Sequence, residues 1–322
     1  MHPRQSERVR PTPSLRRSRR TRLTHSVTSG IRISALQRYV SDNVPGIRGA
    51  VCKTMTIHAD LQAMKTVILA GGLGTRLSEE TDNRPKPMIE IGGRPILWHL
   101  LNIFSAAGYH EFIIAAGYKQ EIVKEYFHQF YTYNNDFTID LATGRTTIRE
   151  RELPDWTVSV IDTGLQTMTG GRIKRLRTII GDEPFMCTYG DGLASIDIDA
   201  LVRTHRNSGR LATLTAVRPP ARFGGLELDG DRVKTFVEKP QASEGWINGG
   251  FFVFEPAVFD RIDGDATLLE HEPLADLAAD SQLTVYRHEG FWQPMDTLRD
   301  KRLLEKLWAS GNPPWVHAPV PA

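Results

Sequence analysis

Several short segments hold the cations and carboxylates that chemistry on phosphate groups demands. The first, Ala70-Gly71-Gly72-Leu73-Gly74-Thr75-Arg76-Leu77, follows an apolar run and carries a cation near its end. Glycines let the backbone come close to a ligand and turn N–H groups toward phosphate oxygens. Two better-known glycine patterns do not fit. GxGxxG needs glycine where Leu77 stands, and the phosphate loop GxxxxGK[ST] needs a Lys-Ser/Thr pair that does not follow. Taken alone, such a loop also reads as a tight structural turn. The second segment, Arg84-Pro85-Lys86-Pro87-Met88, pins a lysine between two prolines, which stiffen the chain on both sides. An isolated lysine is ordinarily a solvated charge. Lys86 has Arg76 and the glycine loop only ten residues upstream, which favours a point charge set beside phosphates.

Carboxylates come from two further segments. Tyr189-Gly190-Asp191-Gly192 ends a strand-like run from Phe185, and a carboxylate so placed suits Mg²⁺, which takes one or two carboxylates plus substrate phosphates and water. An Asp-Gly turn is the competing reading. Phe291-Trp292-Gln293-Pro294-Met295-Asp296-Thr297 offers Asp296 as a second ligand, or as the N-cap of the helix that follows. A fifth group, Phe236-Val237-Glu238-Lys239-Pro240 followed by Trp246 to Phe254, sets Glu238, Lys239 and Asn248 together as mixed donors and acceptors suited to sugar hydroxyls. Asn248-Gly249 also reads as a hairpin turn, and Glu238 with Lys239 as an exposed charge pair. His271-Glu272 does not extend to a zinc-binding HExxH, because position 275 is Ala275. Cys52 and Cys187 are too few and too distant for a zinc site, no GxSxG elbow occurs, and the other histidines read as structural or exposed.

These groups need a scaffold, and the sequence from Lys65 onward supplies one. Strand-like runs at 65–70, 111–116, 158–162, 185–189, 211–217 and 283–287 alternate with helical spacing at 96–107, 120–130, 196–207 and 297–308. That alternation predicts an α/β sheet with helices on both faces, and the glycine loop falls at a strand's carboxyl end, where such sheets collect ligands. Residues 131–156 break the pattern and read as an insertion or hairpin. The 322 residues carry a net charge of +2 that hides a split: residues 1–63 hold +9 and the remainder −7. A basic segment on an acidic body excludes the body as a non-specific nucleic-acid binder. The basic segment reads as disordered; it fits a tail without a role, an overlong reading frame, an organelle transit peptide or a nucleic-acid contact. Met64 is a natural start for the folded unit, expected over 64–317 with 318–322 as a tail. No apolar stretch approaches the ~20 residues of a membrane helix, and two cysteines suit a reducing cytoplasm.

Together, MKTVILAGGLGTRLSEET, RPKPMIEIGGRPILWH, DTGLQTMTGGRIKR, TYGDG, RFGGLELDG, VEKP, INGGFFVFEP and GFWQPMDTLRDK resemble the sugar-1-phosphate nucleotidylyltransferases, over about residues 64–316. TMTGGR, YGDG and FWQPMDTLRDK are similar to the cytidylyl branch of that family. The resemblance implies a Rossmann-like nucleotidyltransferase fold with a mixed, mostly parallel central sheet. It implies attack of glucose 1-phosphate on the α-phosphorus of CTP, with Mg²⁺ as cofactor, no membrane partner and a homo-oligomer. By the same resemblance Leu69, Ala70, Gly71, Gly72, Leu73, Gly74, Thr75, Thr169, Arg172 and Gly190 bind nucleotide. Arg76 and Lys86 neutralise phosphates; Glu238, Lys239, Asn248 and Gly249 hold the sugar phosphate; Asp191 and Asp296 hold the metal. Two unit charges at 4 Å repel by ~4 kcal/mol at an effective dielectric near 20, so such a site must be built of cations and aligned donors. UTP, dTTP or another hexose 1-phosphate remain open as substrates, because the triphosphate is common to all nucleotides. A non-catalytic sugar-nucleotide sensor is the alternative of another class, though the chain keeps all four of Arg76, Lys86, Asp191 and Asp296.

Overall fold

The computed structural model describes residues 64–74, 77–149, 153–219, 225–229, 232–237 and 245–316. Of the sequence-level candidates, Thr75, Arg76, Glu238 and Lys239 lie outside the described residues, as do segments 1–63 and 318–322.

A seven-stranded sheet is formed by β1 (Thr66–Ala70), β2 (Glu111–Ala116), β3 (Thr157–Asp162), β4 (Phe185–Tyr189), β5 (Ala212–Val217), β6 (Ile247–Phe254) and β7 (Leu283–His288), in the order β7-β5-β6-β4-β1-β2-β3. Every neighbouring pair is parallel except those of β6, which runs antiparallel to both β4 and β5. The six principal helices are α1 (Ile96–Ala106), α2 (Gln120–Asn134), α3 (Thr169–Arg175), α4 (Ile198–Ser208), α5 (Glu272–Ala279) and α6 (Leu298–Ala309). None of the described helices is long and apolar enough to cross a membrane.

The period-two alternation of strand side chains explains two cores instead of one. Ile68, Ala70, Phe112, Ile114, Met186, Phe251 and Val253 face one core with α1, α4 and α6. Their sequence neighbours Val67, Leu69, Ile113, Ala115, Phe185, Cys187, Phe252 and Phe254 face the other with α3 and α5. Both sheet faces are covered, so the central strands read as continuous apolar runs. Helix α1 goes further than its expected single stripe of Leu97, Leu100, Leu101 and Phe104: Ile96, Trp98, His99 and Ile103 are buried too. Its second face packs against the C-terminal aromatics, with the His99 ring 4.8 Å from Trp308 and 5.9 Å from Trp315. Each such apolar side chain contributes ~1.5–3 kcal/mol on burial.

Two expectations are refined. The irregular stretch after Tyr131 continues α2 to Asn134 and then makes an antiparallel hairpin of Asp136–Asp140 with Arg145–Arg149. Asn248-Gly249 is not a turn; it lies inside β6, beside the bulge between Leu214 and Ala216 of β5.

His99 gives this core a pH response. Its Nε2–H donates to the Ile91 carbonyl at 2.9 Å, and its Nδ1 accepts from the Trp315 indole at 3.3 Å, so the buried ring is neutral. Burial first, with the Arg94 charge adding, pulls its pKa from 6.5 to about 4. The folded state refuses a proton that the unfolded chain accepts below pH 6.5, so stability is complete above 6.5 and falls as pH drops toward 4. Denaturant titrations at pH 7 and 4.5 should show His99→Gln losing about 2 kcal/mol less between the two pH values than the parent chain.

Candidate active site

The strand order creates the site. From β1 the chain moves outward to β2 and β3, then returns to lay β4 on the opposite side of β1. The loops leaving β1 and β4 therefore diverge, opening a crevice at their carboxyl ends. A cavity of about 380 Å³ fills it, lined by Leu69 to Gly72, Gly74, Lys86, Thr167 to Thr169, Tyr189, Gly190, Asp191 and Asp296. Gly190 joins the two strand ends: its N–H donates to the Leu69 carbonyl at 3.0 Å. A Cβ there would lie 2.8 Å from both that oxygen and Pro87 Cγ, so a side chain would push β4 and the lysine turn away from β1. Gly72 and Leu73 sit exposed at the rim.

The proline-flanked lysine stands on a 3₁₀ turn over Lys86–Met88, entered from an extended Pro85. Lys86 Nζ lies 2.7 Å from Asp191 Oδ2 and 2.7 Å from Asp296 Oδ1. Three segments distant in sequence thus meet at one ammonium, whose side chain is only 12% exposed. Burial alone would lower its pKa, but the Asp191 and Asp296 carboxylates outweigh that and hold it above the usual lysine range. The two aspartates are brought together by a small ladder: Gly192–Ala194 pairs antiparallel with Trp292–Pro294, and Met295 N–H donates to the Asp191 carbonyl at 2.8 Å. Asp296 is not the N-cap of α6. Thr297 takes that role in a capping box with Asp300, whose Oδ2 also accepts from the Asp296 N–H at 3.1 Å. The cap instead orients Asp296.

Two carboxylates that reach one cation are a donor set of hard oxygens, and they fit Mg²⁺ in kind. Among the described residues no group of three or more His, Cys, Asp and Glu converges. Any metal at this pair would therefore complete its shell from water and substrate oxygens, as Mg²⁺ usually does.

Arg172 lines this cavity and also braces its wall. Its guanidinium is buried; NH1 donates to Thr163 Oγ1 at 2.7 Å, the Gly164 carbonyl at 2.8 Å and the Ala116 carbonyl at 3.3 Å. NH2 donates to the carbonyls of Gly71 at 3.0 Å and Leu165 at 3.3 Å. Burial and the nearby Arg175 lower its pKa from the ordinary arginine value. A Cβ on Gly71 would stand 2.0 Å from Arg172 NH1. Glycine at 71 thus makes room for this guanidinium, which clamps the loop after β1 to the ends of β2 and β3. Thr169 Oγ1 donates to Glu270 Oε2 at 2.6 Å and accepts from Leu269 N–H at 2.9 Å. Asn248 Nδ2 donates to Tyr189 OH at 3.3 Å, and the Gly249 carbonyl accepts from the Trp292 indole at 2.8 Å. Sequence reasoning missed Thr167, Met168, Tyr189, Leu268 and Glu270. Tyr189 was within reach, since it precedes Gly190-Asp191, but no local pattern marks Glu270.

Comparison with known proteins places the chain in a family. The family described as nucleotidyl transferase matches residues 65–292. A glucose-1-phosphate cytidylyltransferase of Salmonella typhi is 51% identical over 253 residues, spanning 78% of this chain and 98% of the relative. A mannose-1-phosphate guanylyltransferase catalytic subunit beta of Dictyostelium discoideum is 29% identical, over 73% of this chain and 63% of that protein. Among solved structures, HddC from Yersinia pseudotuberculosis superposes with a TM-score of 0.55 at 22% identity, covering 76% of this chain and 99% of its own. A UDP-glucose pyrophosphorylase complexed with UDP-glucose gives 0.55 at 15% identity, covering 77% and 98%. These last two share the fold. With the profile spanning more than half the chain and half the residues shared with a relative matched almost end to end, this protein is a member of the nucleotidyl transferase family.

Proposed function

We propose that the chain transfers the cytidylyl group of CTP to α-D-glucose 1-phosphate, giving CDP-glucose and pyrophosphate. The observation that carries this is the meeting of Lys86, Asp191 and Asp296 at the mouth of a crevice floored by a glycine loop. The choice of CTP and glucose 1-phosphate rests on 51% identity to a cytidylyltransferase over 98% of its length.

The chemical demand is electrostatic. A sugar-phosphate dianion must approach the α-phosphorus of a triphosphate in line, against strong repulsion. The sugar phosphate is already ionised, so no protein nucleophile or strong base is required. Lys86 supplies a partly desolvated ammonium, and Arg76 is proposed to add a second cation. Leu69, Ala70, Gly72, Leu73, Gly74, Thr75 and Gly190 offer backbone groups along the nucleotide. Thr169 and Arg172 hold the nucleotide side in shape, one through Glu270 and the other through Gly71. Glu238, Lys239, Asn248 and Gly249 are proposed to receive the sugar phosphate. Asp191 and Asp296 would hold Mg²⁺, which when bound supplies positive charge to phosphate oxygens. The catalytic unit is proposed to be residues 64–317, with the basic segment 1–63 unnecessary for turnover.

Pyrophosphate release, measured over a matrix of CTP, UTP, dTTP and GTP against several hexose 1-phosphates, should be strongest for CTP with glucose 1-phosphate; a different preferred pair would replace the assignment. Asp191→Asn and Asp296→Asn should each lower kcat on the order of 100-fold while circular dichroism stays unchanged; full turnover in both rejects their role. Lys86→Ala should lower kcat by a similar ~100-fold factor and change the nucleotide KM by much less. A chain beginning at Met64 should keep the parent's rate, and a loss would assign residues 1–63 a part in activity.

A further inference from the structure

One exposed carboxylate beside the pocket joins two of its lining residues, Thr169 and Tyr189. Glu270 lies in the turn before α5. Its Oε2 accepts from Thr169 Oγ1 at 2.6 Å and its Oε1 from Tyr189 OH at 2.6 Å. Tyr189 OH in turn accepts from Asn248 Nδ2 at 3.3 Å. The chain Thr169–Glu270–Tyr189–Asn248 therefore runs from the start of α3 to β6, touching β4 two residues before Asp191. The turn is itself fixed: Met168 N–H donates to the Asp265 carbonyl at 2.8 Å and Gly170 N–H to that of Thr267 at 3.0 Å. A Cβ on Gly171 would lie 2.6 Å from Asp265 Cα, so the two segments lie in close backbone contact.

Proton counting along this chain sets its polarity. A phenol has one proton to give, and an ionised carboxylate only accepts. Tyr189 must therefore donate to Glu270, and toward Asn248 it only accepts. Burial and then the Glu270 charge push the Tyr189 phenol above its usual range, so it stays a donor. Asn248 Oδ1 is already used by Gly250 N–H at 3.0 Å. Its amide is thus held with the NH₂ group turned to Tyr189, which leaves one N–H for a further acceptor. Bonds to a charged acceptor are about twice as strong as neutral ones, which makes Glu270 the anchor of the series.

We propose that Glu270 is a positioning residue for the sugar phosphate, acting through Tyr189 to hold Asn248 with an N–H donor toward a substrate oxygen. This rests on the cytidylyltransferase reading above. The test is steady-state kinetics on the full chain, varying glucose 1-phosphate at saturating CTP and the reverse, with melting curves. Glu270→Gln keeps the shape but can accept from only one of its two partners. It should raise the glucose 1-phosphate KM about tenfold, with kcat and melting temperature nearly unchanged. Tyr189→Phe should do the same, and the double variant should be no worse than either single change, because both break one series. An unchanged glucose 1-phosphate KM in both single variants overturns the proposal. So does an equal rise in both KM values together with a fall in melting temperature, which marks a merely structural carboxylate. Absence of pyrophosphate release by the parent chain would instead defeat the underlying functional reading.

Discussion

The site depends on one ammonium shared by two carboxylates. Lys86, held 2.7 Å from Asp191 and 2.7 Å from Asp296, ties the turn after β1, the end of β4 and the entry to α6 through a single atom. Two aspartates facing one another without it would repel, and a lysine this enclosed without them would hold its proton less tightly. Each partner makes the others' charge tolerable. The same arrangement suits phosphate chemistry, because incoming phosphates bring negative charge to a cation that is already charged and already in place. Electrostatic preorganisation of this kind needs little rearrangement when substrates arrive.

That triad requires a rigid base, and the sheet provides it through close backbone approach more than through side-chain bulk. Gly190 lets β4 touch β1 and Pro87, and Gly71 lets the Arg172 guanidinium slide beneath the loop. Arg172 then spends its NH1 and NH2 groups on four carbonyl oxygens and a threonine hydroxyl. A buried charge saturated in this way is costly to move, so the loop after β1 is fixed relative to β2 and β3. The glycine-rich loop therefore combines two tasks: Gly71 serves the scaffold from below, and exposed Gly72 lines the crevice.

Much of this was legible in the residues. Strands β1, β2 and β4 read correctly because apolar runs bounded by Gly71, Gly117 and Gly190 carry their own punctuation. Residue type and position singled out Lys86, Asp191 and Asp296 as site groups, but not the ion pairs that the folded chain makes between them. What stayed hidden is information that lives between segments. Asn248-Gly249 looks like a turn by local chemistry, yet pairing with Ala216 and Val217 draws it into β6. Asp296 looks like a cap, yet Thr297 fits the capping box better because Asp300 stands three residues later. Only the folded chain reveals how many carbonyls surround Arg172. Glu270 has no local signature at all, since its partners are 101 and 81 residues away.

The hidden residues share a physical character. Cations and carboxylates that meet phosphate must be specific in type, so their chemistry can be recognised from a short string. Groups that set hydrogen-bond direction act by proton counting along a series, and any acceptor-only residue in the right place would serve. Selection among sugars depends on this second kind, because hexose phosphates share one charged group and differ in where their hydroxyls point. A donor left without its acceptor is disfavoured, so orienting one amide such as that of Asn248 bears on which substrate is held. In the proposed reading the triphosphate is met by strong charges on short loops, while the sugar phosphate meets a neutral amide whose orientation is set two residues along a hydrogen-bonded series.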